Sequence, residues 1–374
     1  MKIFLGLITI FIGFTSFSQD KTDSLTHELS LLFIGDIMGH GPQITAAYYS
    51  ETKSYNYNSV FKYVSPQIEQ SDFCMANLEV TLAGPPYKGY PQFSSPDQLA
   101  VACKNAGMDA LVTSNNHSCD RGDKGILRTI NVLDSIDILH TGTFKDSNDR
   151  KANNPLIIEQ NCIRVAFLNY TYGTNGLKNH YPAMVNRLEK GVIKADIEAA
   201  QKLNVDKIIV VTHWGLEYKP QPSTAQIEMG KFIFEAGADI IVGSHPHVLE
   251  KMIWEKKTDV KTKEEVIVYS LGNFVSNQRA RTKDGGAMFQ LTLEKTNGIT
   301  SIKSTGYYLT WVYTPIENKI KRYYILPAAW YENNPEFFDN AESYHKMKLF
   351  LSDSRALYGK YNKNVFEIKP EVLD

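Results

Sequence analysis

The sequence predicts a layered α/β architecture, and three observations carry the prediction. From residue 29 to about residue 270, short apolar runs alternate with amphipathic stretches. The runs are continuous rather than alternating in polarity, as strands buried on both faces require. A segment also recurs in outline: Ala106-Gly107-Met108-Asp109-Ala110-Leu111-Val112-Thr113-Ser114-Asn115-Asn116-His117 aligns with Ala236-Gly237-Ala238-Asp239-Ile240-Ile241-Val242-Gly243-Ser244-His245-Pro246-His247. Each copy reads as helix stop, turn, buried strand, then histidine. Histidines are thereby delivered to the C-terminal ends of strands, where α/β sheets bind ligands.

Composition agrees. The 374 residues are 43% hydrophobic, enough for a full core, which excludes a disordered or fibrous chain. With 41 acidic and 40 basic side chains the chain lacks the basic excess of a general nucleic-acid binder. Beyond the first residues no segment approaches the roughly 18 apolar residues of a stable transmembrane span.

The elements follow in order. Met1-Lys2, an apolar run over residues 3–14, and Ser16 and Ser18 at the −3 and −1 positions read as a signal peptide cleaved near Ser18. No cysteine lies near the cut, which argues against a lipid anchor. Residues 19–28 read as a linker. Strands are expected at 31–34, 73–76, 110–112, 165–168, 208–211, 240–242 and 266–269. Ser95-Pro96-Asp97-Gln98 reads as a capping box opening a helix whose apolar face is Leu99, Ala102, Cys103 and Ala106, closed by Gly107. Residues 145–155 read as a loop. Helices follow at 190–203, with Val192, Ile193, Ile197 and Ala200 inward, and at 223–236, with Ile227 and Phe234 inward and Gly237 as the stop.

After residue 285 the style changes. Residues 288–293 and 303–311 read as strands around a Thr296-Asn297-Gly298 turn, followed by a strand at 321–326. Residues 335–360 read as an amphipathic helix. The chain therefore divides into an α/β domain over 29–285, a β extension packing on it over 286–328, and a helical tail over 329–374. The four cysteines, Cys74, Cys103, Cys119 and Cys162, show no Cys-x-x-Cys spacing, so a structural zinc site is not expected. Most of them read as small core residues; Cys119 alone sits inside a polar motif.

Each central strand ends in a metal-type ligand. The ends are Gly35-Asp36 with His40 after it, Asn77-Leu78-Glu79, and Asn115-Asn116-His117 with Asp120 and Gly122 after it. Two more are Thr212-His213-Trp214-Gly215-Leu216-Glu217-Tyr218 and Gly243-Ser244-His245-Pro246-His247. Singly, such residues cap turns or sit satisfied in a core. In series, at the same end of one sheet, they are costly to bury unless they share cations. The mixed nitrogen and oxygen donors suit Zn, Mn or Fe, and their number favours two divalent metal ions. Two ions about 4 Å apart clamp the oxygens of an in-line displacement and lower the pKa of water towards about 7. Metal-assisted hydrolysis is the reaction class. No Gly-x-Ser-x-Gly elbow, Walker loop or His-Glu-x-x-His competes with it.

Together, Gly35-Asp36-Ile37-Met38, Asn77-Leu78-Glu79, Asn115-Asn116-His117-x-x-Asp120-x-Gly122, His213-Trp214-Gly215-x-Glu217-Tyr218, Gly243-x-His245-Pro246-His247 and Ser270-Leu271-Gly272-Asn273-Phe274 resemble the poly-gamma-glutamate capsule synthesis (CapA) family. That family looks like a branch of the calcineurin-like metallophosphoesterases. The resemblance covers about residues 29–280 and implies a four-layer α/β-β/α sandwich. It implies one metal on Asp36 and His247, another on Asn116, His213 and His245, and Glu79 bridging both. His117 would stand by the reacting group as acid or electrostatic stabiliser, and Asp120 would either orient it or cap a helix.

Two positions depart from the phosphoesterase pattern. Met38 stands where it has a histidine, with His40 as a replacement ligand, and Glu79 stands for the bridging aspartate. Arg279, Arg281, Lys283 and Asn273 are candidates to meet an anionic substrate, Glu217 and Tyr218 to support His213, and His140 to lie near the rim. The resemblance implies an exported protein that hydrolyses a phosphoester or amide bond. Its partners would be an anionic polymer such as poly-gamma-glutamate, or a phosphorylated small molecule, and the cell-envelope polymer synthesis machinery. The alternatives are a non-catalytic assembly or polymer-binding factor with structural metals, and a generic phosphoesterase of nucleotides or sugar phosphates.

Overall fold

The computed structural model describes residues 26–257 and 263–370. The expected signal peptide, residues 1–18, and residues 19–25 of the expected linker lie outside the described residues. The first strand, β1 (Thr26–Ile37), already includes the linker's last residues. Leu31 and Phe33 of β1 join one buried cluster and Leu32 and Ile34 another, the period of two that a pleated strand imposes. After β1 come α1 (Gly41–Ala47), β2 (Phe73–Leu78), α2 (Gln98–Asn105), β3 (Ala110–Val112), α3 (Gly122–Ser135) and β4 (Leu139–Thr141). The capping box expected at Ser95 does not form. Helix α2 starts at Gln98 behind Asp97, whose carboxylate makes no cap because the Arg128 guanidinium takes it at 2.7 and 2.9 Å.

The next elements are β5 (Leu156–Gln160), β6 (Ile163–Thr171), α4 (Lys190–Gln201), β7 (Lys207–His213), α5 (Thr224–Ala236), β8 (Ile240–Ser244), β9 (Met252–Lys257) and β10 (Lys263–Val268). Helix α5 has a true capping box between Ser223 and Gln226, and ends where Gly237 takes φ 117°. Phe234 is buried, but Ile227, expected beside it, is exposed. Residues 145–155, expected as loop, contain a short helix, Ser147–Asn153, because the Asp146 carboxylate accepts from the backbone N–H groups of Asn148 and Asp149.

The chain closes with β11 (Asn273–Val275), β12 (Gly285–Thr296), β13 (Ile299–Tyr313), β14 (Tyr324–Pro327), α6 (Ala341–Tyr361) and β15 (Phe366–Glu367). The segment 286–328 extends the first sheet itself rather than lying over the sandwich. Strand β12 runs antiparallel to β1 from Thr26 opposite Thr296 to Ile34 opposite Met288. Helix α6 buries Met347, Phe350, Leu351 and Tyr358.

Two sheets result. The first runs β14-β13-β12-β1-β2-β3-β4, with β11 beside β1 and β15 beside β13; the second runs β9-β10-β8-β7-β6-β5. Strands β1 to β4 are parallel, as are β6, β7, β8 and β10. Leu31, Phe33, Phe73 and Met75 of the first sheet share a cluster with Val165, Phe167, Ile209 and Val242 of the second, and Phe73 stacks on Phe167 at 5.4 Å. On the outer face of the first sheet, Leu32 and Cys74 meet Leu99, Cys103 and Leu133 of α2 and α3. On that of the second, Leu168 and Val210 meet Ile193, Ile197 and Ile233 of α4 and α5. The order is helix, sheet, sheet, helix: the expected four-layer sandwich. Among the described residues no helix is long and apolar enough to cross a membrane.

Candidate metal centre

The site forms where the C-terminal ends of both sheets' parallel strands meet, not at one sheet alone. Asp36, Glu79 and Asn116 come from the first sheet, and His213, His245 and His247 from the second. Strand β1 breaks register between Ile34 and Asp36, a device that re-aims a side chain. Gly35 permits it, since a Cβ there would come within 2.3 Å of the Gly272 carbonyl oxygen. His245 and His247, on either side of Pro246, take φ of 101° and 58°. Such left-handed backbone at non-glycine residues is held only where the surroundings impose it, commonly at functional sites.

Two ligand clusters share one carboxylate. Single donor atoms of Glu79, His213 and His245 lie within 4.8 Å of one another, as do those of Asp36, Glu79 and His247. His213 Nε2 lies 3.4 Å from Glu79 Oε1 and 3.0 Å from Asn116 Oδ1. His247 Nδ1 lies 3.0 Å from Asp36 Oδ2, and its Nε2 is 3.7 Å from Glu79 Oε1. All six residues are buried.

The protonation pattern tests whether cations fit. The Ser244 hydroxyl donates to the Thr212 carbonyl oxygen at 3.3 Å and lies 3.0 Å from His213 Nδ1. His213 Nε2 faces two oxygen acceptors, on Asn116 and Glu79. Both Glu79 oxygens and His245 Nδ1 are buried without a hydrogen-bond donor or acceptor of their own. Acceptors facing acceptors in a dry site is an arrangement that divalent cations resolve. Burial, with Asp36 beside it, pushes the Glu79 carboxyl well above the usual carboxylate range. Burial, together with neighbouring histidines, pushes His213 well below the ordinary imidazole range and His245 down to about 2. Neutral imidazole is the form that ligates a metal, and a nearby cation favours ionised Glu79. The donor set therefore fits divalent ions.

Residues 30–278 match the family model described as bacterial capsule synthesis protein PGA_cap. The chain belongs to that family. It is 34% identical over 273 residues to the capsule biosynthesis protein CapA of Bacillus anthracis, covering 69% of this chain and 62% of that protein. It is 32% identical over 282 residues to the PGA biosynthesis protein CapA of Bacillus subtilis, covering 71% of this chain and 68% of that one. The chain thus matches less than two thirds of the length of the first relative. Solved structures similar to it include the calcineurin-like phosphoesterase YfkN from Bacillus subtilis, with TM-score 0.43, 14% identity, and coverage of 76% of this chain and 91% of that one. The sulfate thiohydrolase SoxB of Thermus thermophilus matches with TM-score 0.43, 11% identity, and coverage of 87% and 60%.

Other residues of the PGA_cap motifs take definite places. His117 Nδ1 lies 2.7 Å from Asp120 Oδ2, which also accepts from the Phe93 backbone N–H at 2.7 Å. The His117 ring stands edge-on to Phe93 at 4.6 Å. His40 is in neither ligand cluster. It opens α1 instead, with its backbone N–H and Nδ1 at 2.9 and 3.1 Å from Gln43 Oε1. Met38 is buried in the apolar cluster outside the first sheet.

The expected substrate contacts turn inward. Arg279 donates to the Val312 carbonyl oxygen and lies over the Trp311 ring, because the loop after β11 folds against β13. Arg281 pairs with Asp284 at 2.6 Å and Asp353 at 2.9 Å. Asn273 is fully buried and ties this loop down through Gln278 and the Lys283 carbonyl oxygen. Lys283 lies 4.0 Å above the Tyr218 ring. Glu217 and Tyr218 do not support His213. Glu217 is exposed, and Tyr218 lies beside the His247 ring at 6.1 Å. His140 is tied to Asp134 at 3.0 Å.

Support for the ligands comes from residues that the sequence reading does not single out. Asn77 donates to Asp36 Oδ1 at 2.8 Å and lies 3.3 Å from His213 Nδ1, while Ser244 holds the other approach to that nitrogen. Both sit inside the motifs that carried the ligands, so position alone could have flagged them. Tyr172, whose ring lies 4.6 Å from that of His245, has no such signal.

Proposed function

We propose that this protein is an exported, metal-dependent hydrolase that cleaves a phosphoester or amide bond during synthesis of an anionic cell-surface polymer such as poly-gamma-glutamate. The observation that carries the reading is Glu79, shared by two ligand clusters, with His117 held by Asp120 nearby. The names of the two CapA relatives supply the capsule setting, and hence the cell envelope as its place. Two divalent ions of the Mn, Zn or Fe class, held by Asp36, Glu79 and His247 and by Glu79, Asn116, His213 and His245, would supply Lewis acidity and a lowered water pKa.

The chain's own residues do the rest. Asp120 fixes the His117 ring through Nδ1, which leaves Nε2 to protonate the departing oxygen or nitrogen. Ser244 and Asn77 hold the His213 ring in place at Nδ1. Phe93 closes one side of the acid and keeps water from it. Lys283, above Tyr218, offers a positive charge to an anionic substrate. The second reading, a non-catalytic assembly factor that keeps its metals for structure, draws on Met38 in the place of a ligand. Metal analysis of the purified protein with a screen of phosphodiesters and glutamyl polymers separates the two. Bound metal with turnover supports the hydrolase; bound metal with no turnover on any substrate supports the assembly factor.

A further inference from the structure

We propose that the metal centre continues into a subsite for a hydrocarbon group. A pocket of about 580 Å³ between Tyr172, Leu188, Trp214, Leu216, Ala225 and Met229 would hold the alkyl or aryl part of a substrate whose anionic reacting group lies against the ligand clusters. The proposal rests on the hydrolase reading of that site and adds a substrate class to it.

Tyr172 connects the two regions. Its ring lies 4.6 Å from His245 and nearly parallel to His213 at 6.5 Å. The same residue lines the pocket and is 49% exposed, so one ring borders both a bound reacting group and whatever extends from it. Trp214 and Gly215, directly after the ligand His213, also line it.

The chemistry of the lining selects the occupant. None of its residues is charged. Its polar side chains are mostly committed elsewhere: Gln226 donates to Glu250 at 2.7 Å and accepts from the Ser223 backbone N–H at 2.8 Å, while Trp214 Nε1 donates to the Tyr269 carbonyl oxygen at 2.9 Å. A carboxylate entering would lose its water and gain no partner. Apolar surface entering would be favoured by its own burial. The volume lies inside the range of roughly 300–1,000 Å³ usual for small-molecule sites. Tyr218, 6.1 Å from the His247 ring and outside the pocket lining, instead carries Lys283 above it. The anionic part of a substrate and its hydrocarbon part are thus met by different residues.

The test is calorimetric titration of the Mn-loaded protein with inorganic phosphate, methyl, butyl and octyl phosphate, and phenyl phosphate. Affinity is expected to rise about threefold per added methylene until the pocket fills, the gain expected for burying each group. Phenyl phosphate should exceed methyl phosphate about tenfold. A gain in the alkyl arm alone or the phenyl arm alone identifies which hydrocarbon is taken. Ala225→Trp, which fills the pocket from an exposed helix position, and Leu216→Asn should reduce the ratio of octyl to inorganic phosphate affinity to near one. Phosphate binding with no dependence on the attached group would overturn the subsite and leave the hydrolase reading standing. An undiminished ratio in both variants would overturn its placement. Failure of inorganic phosphate and of every ester to bind would overturn the subsite together with the phosphoester form of the hydrolase reading, and leave its amide form.

Discussion

The Nδ1 atom of His117 and the Oδ2 atom of Asp120, three residues apart at the end of β3, lie 2.7 Å apart with both side chains buried. Asp120 pairs with His117 and does not cap α3, whose N-terminal cap is Arg121. A ring held through one nitrogen presents the other in a fixed direction, as a positioned proton donor must.

His117→Ala is expected to leave metal content nearly unchanged and to lower turnover by roughly 10²- to 10⁴-fold, the range for a positioned general acid. His117 belongs to neither ligand cluster. Metal analysis and steady-state rates on the same preparation check this. Loss of metal from the variant would defeat the role, and so would full activity.

His213→Ala behaves differently. Its ring is fully buried between Glu79, Asn116 and Ser244. Removing it is expected to lower metal content and thermal stability together, because ligand binding is linked to folding and Glu79 loses its compensation. Thermal unfolding with and without chelator provides the check. A chelator that destabilises wild type and variant equally counts against the assignment.

Arg281→Ala tests the loop after β11. Its guanidinium is spent on Asp284 and Asp353, so substrate KM should stay within about twofold while stability falls by about 1–3 kcal/mol, the usual scale for charged hydrogen bonds. A large rise in KM with unchanged stability would return Arg281 to the substrate site.

These residues also mark where sequence reading succeeds and stops. The ligands were legible because each follows a continuous apolar run, and a buried strand fixes where its end must be. Which run belongs to which of the two sheets was not legible, since Ile240 pairs with Ile209 and Ala110 with Met75 through contacts far apart in sequence. The fate of Arg279 and Arg281 depended on Trp311 and Asp353, whose nearness arises only when β13 and α6 dock. Tyr172 joined the site for the same reason: its backbone N–H donates to the His213 carbonyl oxygen, a pairing set by β6 lying next to β7.

Glu250 yields a prediction about pH. The side chain is fully buried, one oxygen accepts from Gln226 at 2.7 Å, and the other has no partner. Burial pushes its carboxyl up from 4.5 to about 8. Between those values the folded protein keeps a proton that the unfolded chain has released, so stability must fall as pH rises through that window. The slope is at most about 1.4 kcal/mol per pH unit, and it flattens above the folded value. Glu250→Gln keeps an oxygen for Gln226 and cannot ionise. It should match wild type near pH 4.5 and become progressively more stable than wild type up to about pH 8. Because Glu250 is in neither ligand cluster, pH effects on metal binding are common to both proteins and cancel in the difference. Denaturant unfolding of both proteins across that range decides it, and parallel curves would show that Glu250 is ionised in the folded state or exposed to water.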